Sequence, residues 1–300
     1  MNVLITGGAG FIGSNLADAL IKDDRVSLVR VLDNLATGST ENIQHLFSNS
    51  KFEFVEADIR DFAACLNAVE GIDLISHQAA LGSVPRSIAD PITSNNVNIT
   101  GTLHIFEAAR MKNVTRIVYA ASSSTYGDHP GLPKKEELTG NPLSPYAVTK
   151  LVNELYAQVY ARTYDMQFIG LRYFNIFGPR QNPAGPYAAV IPLFAEAIIE
   201  DKAPIINGDG SHSRDFTYVE NAVSANLLAL FTSNKQALNQ VYNIACGEQT
   251  SLLELFNQLK AGLGSQLTPE FGPERRGDVK HSLADITKAK TLLQYEPLVT

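Results

Sequence analysis

The chain has 300 residues, of which 45% are apolar, enough for a large core in one domain or two intimate ones. With 31 acidic against 24 basic residues the net charge is −7, which argues against a nucleic-acid partner, because phosphate binding calls for a basic face. No apolar run is long enough to span a bilayer, and no basic leader precedes the first strand pattern, so a cytoplasmic location is expected. Cys65 and Cys246 lie far apart and indicate neither a disulfide framework nor a metal site.

In chain order, the runs 3–6, 29–32, 52–55, 74–76, 116–121 and 167–171 read as strands, and 11–21, 61–70, 94–112 and 144–164 as helices. The last of these has Ser144 as N-cap and Pro145 at the first helical position. Strands that are apolar throughout and alternate with helices predict a doubly wound parallel sheet covered on both faces. After Asn175 the glycines and prolines at 178, 179, 183, 185 and 186 mark a boundary. We therefore expect a first domain over 1–175, with a returning segment near 215–245, and a smaller α/β substrate-binding part over 176–300, with helices near 188–200, 219–232, 251–263 and 285–293.

Gly7-Gly8-Ala9-Gly10-Phe11-Ile12-Gly13 falls between the first strand and the first helix. One glycine permits the tight turn, another lets a pyrophosphate approach the backbone, and the third lets helix and strand pack closely. The helix N-terminus adds unpaired N–H groups and partial positive charge. Asp33, about 20 residues past Gly13, ends the second strand, where a carboxylate accepts bonds from a ribose diol and repels a 2′-phosphate. This pattern predicts a Rossmann-type dinucleotide site that selects NAD over NADP. Asp58 and Ile59, after the third strand, are placed to meet the adenine; Asp58 could equally be a helix cap.

Tyr146 and Lys150 stand one turn apart on one helix face. A cation beside a phenol, whose ordinary pKa is about 10, favours the phenolate and would make Tyr146 a base near neutral pH. Ser122, Ser123 and Ser124 follow the fifth strand, where a hydroxyl points into the ligand crevice or caps the following turn.

Together these motifs resemble the extended short-chain dehydrogenase/reductases that modify nucleotide sugars. The resemblance covers essentially the whole chain. It also rests on His77-Gln78-Ala79-Ala80, Tyr126-Gly127, Leu171-Arg172-Tyr173-Phe174-Asn175, Asn207-Gly208-Asp209-Gly210, Arg214-Asp215-Phe216 and Arg275-Arg276-Gly277-Asp278. The segments around Gly82-Ser83 and Ser122-Ser123-Ser124 are most similar to those of bacterial UDP-N-acetylglucosamine 4-epimerases, which serve surface polysaccharides. The resemblance implies that Tyr146 is the base, that Lys150 depresses its pKa and holds the nicotinamide ribose, and that Ser122, with Ser123 beside it, binds the reacting oxygen. A 4-keto sugar would turn over and take the hydride back from NAD on its other face.

It also implies cofactor contacts from Asn34, Gly38, Gln78, Ala79, Ala80 and Tyr173, in addition to the glycine turn, Asp33, Asp58 and Ile59. For the UDP-sugar it implies Gly82, Ser83, Asn175, Ala189, Val190, Asn207, Arg214 and Arg275. The planar forks of the two arginines suit phosphate oxygens, although either could be a surface ion pair. Ser282 is implied to leave room for a 2-acetamido group, where a bulky residue would not; it could also be an ordinary exposed serine. The family's helix pairing implies a homodimer, and no metal is implied. Three alternatives remain: epimerisation of other UDP-hexoses or uronic acids, a nucleotide-sugar dehydratase, and an inactive NAD-binding scaffold. Dehydratases need a carboxylic acid after the strand-5 hydroxyl, where this chain has Ser123-Ser124-Thr125.

Overall fold

The computed structural model describes residues 1–182, 189–273 and 280–300. The first half alternates β1 (Asn2–Thr6), α1 (Phe11–Ile21), β2 (Leu28–Asp33), β3 (Phe52–Glu56), α2 (Phe62–Val69), β4 (Leu74–His77), α3 (Val84–Ala89), α4 (Pro91–Asn95), α5 (Thr102–Met111), β5 (Arg116–Ser122), α6 (Pro145–Tyr164) and β6 (Gln167–Tyr173). Then come β7 (Ile176–Phe177), α7 (Val190–Ile199), β8 (Ile205–Asn207), β9 (Ser213–Arg214), β10 (Thr217–Tyr218), α8 (Val219–Phe231), β11 (Gln240–Ile244), β12 (Thr250–Ser251), α9 (Leu252–Gly262), β13 (Glu270–Gly272) and α10 (Thr287–Leu293).

Seven strands form one parallel sheet in the order β11-β6-β5-β4-β1-β2-β3. Apolar residues on both faces of each strand require cover on both sides. Leu16, Ala17 and Leu20 of α1 cover one face with Val219, Ala225 and Leu230 of α8 and Ala289 and Leu293 of α10. Cys65 and Ala68 of α2, Ile105 and Phe106 of α5, and Ala157 and Tyr160 of α6 cover the other. The sheet is thus completed by α8, β11 and α10 from the second half of the chain. Among the described residues the rest of that half comprises α7, α9 and three two-stranded pairs, β7 with β10, β9 with β12 and β8 with β13. Among the described residues no helix is long and apolar enough to cross a membrane.

The helix expected over 94–112 is interrupted. Asp90 caps α4 through the Thr93 N–H at 3.0 Å, a π-helical turn spans Asn96–Gly101, and α5 follows. The wide turn has two evident uses. Asn98 reaches the Leu81 N–H at 2.7 Å and the Thr149 hydroxyl at 3.2 Å, tying the loop after β4 to α6. Gly101 gives way to Ile59, whose Cδ1 would lie 2.5 Å from a Cβ there. Single π turns cluster at functional sites.

Candidate active site

The sheet order reverses between β1 and β4, so the chains leaving the two strand ends diverge and open a crevice. A cleft of about 460 Å3 fills it. Gly7, Gly10, Phe11, Ile12 and Gly13 line it from the first turn, Asp33 and Asn34 from β2, and Asp58 and Ile59 from the end of β3. Gln78, Ala79, Ala80 and Gly82 after β4, and Ser122, Tyr146, Lys150, Tyr173 and Asn175, complete the wall. Two glycines are demanded by space. A Cβ on Gly13 would lie 2.2 Å from the Gly7 carbonyl oxygen, and one on Gly7, at φ +70°, 2.7 Å from the Ala79 backbone.

The carboxylate of Asp33 accepts from the Ala9 N–H at 2.9 Å and the Leu35 N–H at 2.8 Å, so it locks the turn it overlooks. Burial raises its pKa and those two bonds oppose the rise. Asp58 is held at about 2, chiefly by Arg60 at 2.7 Å, and also accepts from Asn34 at 2.7 Å. No side chain caps α1, which leaves N–H groups for an anion. A bare glycine turn, a free helix start and a buried carboxylate fit a dinucleotide diphosphate with its ribose diol. Gly38 is not among the residues lining the cleft, although its neighbours Ala36 and Thr37 are. It braces the turn from outside, where a Cβ would meet the Ala9 carbonyl carbon at 2.7 Å.

Gln78 is fixed from three sides. Its amide donates to Ser76 and Asn226, both at 3.0 Å, and its carbonyl accepts from the Tyr173 hydroxyl at 3.1 Å. His77 beneath it is fully buried and pushed down to about 3 by desolvation. It is neutral, with Nδ1 on Thr6 at 2.7 Å and Nε2 on Thr102 at 2.9 Å. Thr102 donates its own proton to the Asn98 carbonyl, so Nε2 of His77 bears the hydrogen.

The catalytic candidates meet where β5 ends and α6 begins. Ser144 accepts from the Ala147 N–H at 3.2 Å, which sets the helix start, and the Tyr146 N–H donates to Ser87 Oγ at 3.0 Å. The Lys150 ammonium donates to the Ala120 carbonyl at 2.7 Å and lies 5.9 Å from the Tyr146 ring centroid. Burial lowers the Lys150 pKa to about 8 and raises that of Tyr146, a rise that the nearby Ser122 hydroxyl opposes. This differs from the expectation that Lys150 depresses Tyr146. In the protein chain by itself desolvation dominates both groups, the ammonium is directed at a carbonyl, and Ser122 favours the phenolate.

Two further cavities adjoin the cleft, and Asn175, at φ +39°, borders all three. One, of about 560 Å3, is lined by Ala189, Val190, Asn207 and Arg214 together with Phe177, Phe216 and Leu252. The other, of about 540 Å3, is lined by Ser123, Ser124, Ser282, Arg214, Phe174 and Lys134. Ser123 therefore faces this cavity, whereas Ser122 faces the cleft. Ser83, at φ +100°, is occupied as the cap of α3, accepting from the Arg86 N–H at 3.3 Å. Arg275 and Asp278 lie outside the described residues.

Sequence reasoning missed Thr37, Arg60, Thr93 and Val97 in the cleft and the aromatic wall of the second cavity. Arg60 had a signal, a cation two places after Asp58. Phe177 and Phe216 had none, because apolar residues near strand ends look the same whether they face a core or a ligand.

The model of the NAD dependent epimerase/dehydratase family matches residues 3–245. A UDP-glucose 4-epimerase of Mycolicibacterium smegmatis is 38% identical over 301 residues, covering 100% of this chain and 94% of that protein. The structure of a UDP-N-acetylglucosamine 4-epimerase from Methanobrevibacter ruminantium, in complex with UDP-N-acetylmuramic acid, is 39% identical with a TM-score of 0.93, covering 99% of this chain and 92% of that one. That of a UDP-glucuronic acid 4-epimerase from Bacillus cereus, with UDP-glucuronic acid and NAD, is 36% identical with a TM-score of 0.92, covering 100% and 95%. The chain belongs to the NAD-dependent epimerase/dehydratase family and is an isomerase that works with NAD.

Proposed function

We propose that this enzyme interconverts UDP-N-acetylglucosamine and UDP-N-acetylgalactosamine by inversion at C4. The observation that carries the substrate choice is the cavity of about 540 Å3 in which Ser282 and Ser123 face a common space bordered by Asn175. Two small hydroxyl side chains leave room there for an acetamido group and can hydrogen-bond it. Ala189, Val190, Asn207 and Arg214 are assigned to the UDP end, with the Arg214 fork on phosphate oxygens. Relatives named for UDP-glucose and UDP-glucuronic acid keep those two sugars as the alternative.

Bound NAD, held by the glycine turn, Asp33 and Gln78, would supply reversible hydride acceptance from the sugar carbon. Tyr146 removes the C4 hydroxyl proton and later gives it back, Ser122 donates to the reacting oxygen, and Lys150 supplies positive charge beneath both. Asp33, Gln78 and the glycine turn are assigned to hold the cofactor in place throughout.

A homodimer is proposed from α6. Val148, Leu155 and Val159 are exposed on it at coiled-coil spacing, and Ile92 of α4 is 72% exposed. The occupant of this face is a second copy of the chain, as sedimentation will show by a dimer mass. The substrate test is turnover of four UDP-sugars without added reductant. Acetylated sugars should react fastest, and Ser282→Tyr should penalise them selectively; equal losses on acetylated and non-acetylated sugars would refute the pocket assignment.

A further inference from the structure

We propose that Ser87 is a positioning residue that holds the Tyr146 end of α6 against the wall of the sugar cavity, a proposal that rests on the reading of Tyr146 as the base. The N–H groups in the first turn of a helix have no partner within it. In α6, Pro145 has no N–H to satisfy, and Ser144 Oγ accepts from the Ala147 N–H at 3.2 Å. The N–H of Tyr146 is met from another element: it donates to the Oγ of Ser87, on α3, at 3.0 Å. That hydroxyl gives its own proton to the Val84 carbonyl at 2.7 Å, which leaves its lone pairs for Tyr146. Ser87 is fully buried, away from the water that would otherwise take its place.

The element that supplies this hydroxyl also shapes the cavity assigned to the sugar. Val84, Pro85, Ile88 and Ala89 of α3 line it, together with Ser144 and Ala147 at the start of α6. The sugar wall and the backbone of the base are therefore joined by one hydrogen bond. Removing the hydroxyl leaves a buried N–H unpaired, which carries the full desolvation penalty of that group. The start of α6 then shifts toward a new partner, and the phenol moves with it. A displacement of about 1 Å at a reacting group can cost about 10²-fold in rate. Ser87 itself lines none of the three cavities, so it acts on the reaction through the backbone of Tyr146.

The test is a substitution cycle on the holoenzyme. Ser87→Ala should lower kcat about 10- to 100-fold, with KM for the UDP-sugar and bound NAD unchanged. In a Tyr146→Phe background it should cost nothing further, because no phenol is left to misplace. Ser87→Thr keeps the hydroxyl and should keep most of the rate, even where its extra methyl lowers the melting temperature. A merely structural serine would behave otherwise, with kcat following stability across the series. Should Ser87→Ala not accumulate as folded protein, Ser87→Cys, of similar size with a weakly accepting sulfur, carries the same comparison. Parental kcat in the folded variant, a loss carried by KM alone, or the same fold-loss with and without the Tyr146 phenol overturns the proposal. A Tyr146→Phe enzyme with parental turnover would instead overturn the reading beneath it, so the two failures are distinguishable.

Discussion

The cleft assigned to the cofactor and the two cavities assigned to the substrate are built differently, although they share Asn175. The cleft is written in short stretches of chain at strand ends, and it is shaped largely by backbone: a glycine turn, a helix start, and a carboxylate that locks its own loop. The substrate cavities are assembled from segments distant in sequence. Arg214 and Ser282 line one cavity with Ser123 and Asn175, and the Ser282 N–H, donating to the Ser213 carbonyl at 3.1 Å, ties the two segments together. The lesson is that binding by backbone tolerates little change at single positions, whereas binding by assembled side chains can be retuned one residue at a time.

The strongest test of this comparison is chemical. Tyr146→Phe should lower kcat by about 10³-fold, the size of a lost general base, while the purified protein keeps its NAD. Loss of NAD in that variant would mean that the two regions are not separable. Arg214→Ala should raise KM for the UDP-sugar by about 10- to 100-fold, in line with about 1.5–3 kcal/mol for a charged hydrogen bond, again with NAD retained; calorimetry on each ligand checks both halves of the claim.

Gly13→Ala should do the reverse. Its Cβ would meet the Gly7 carbonyl oxygen at 2.2 Å, so we expect a loss of about 1–3 kcal/mol in denaturant melts together with loss of cofactor. Gly82, where a Cβ meets nothing within 4 Å, is the control, and Gly82→Ala should stay within about 0.5 kcal/mol. Equal effects at the two glycines would break the comparison.

The smallest effect concerns Lys150. Its pKa falls to about 8 on burial, so the native state holds the proton less tightly than the unfolded chain does. The buried charge therefore costs stability most fully below pH 8, and the cost fades as pH rises from about 8 toward the unfolded value near 10.4. Lys150→Met should accordingly be inactive yet more stable at pH 7, by about 1 kcal/mol, with the advantage shrinking above pH 8. Melts across that range decide the matter, and a variant less stable at pH 7 would show that the bond to Ala120 outweighs the desolvation.

The layered strands, the glycine turn and the Tyr146/Lys150 pair were legible from residue order, because each depends on periodicity or on spacing within one element. The π turn at 96–101 was not, since the contacts it serves, Asn98 with Leu81 and Gly101 with Ile59, reach other segments of the chain that no local pattern announces. Gly38 also packs behind the turn, and Ser83 also caps a helix, structural roles that the residue order did not announce. Glycine and serine look alike in sequence whether they face a ligand or the backbone.

By itself, then, the order of residues determined a parallel sheet, a dinucleotide turn with its Asp33, and a tyrosine and lysine one helical turn apart. Those features follow from backbone sterics and helical geometry over a few residues. Only the tertiary structure decided that Ser123 and Ser282 line one cavity and that Tyr146 and Lys150 are both deeply buried, so that desolvation raises the pKa of the one and lowers that of the other in the chain by itself. Hydrogen-bond direction and desolvation depend on every group packed around an atom, and those groups come from the whole length of the chain.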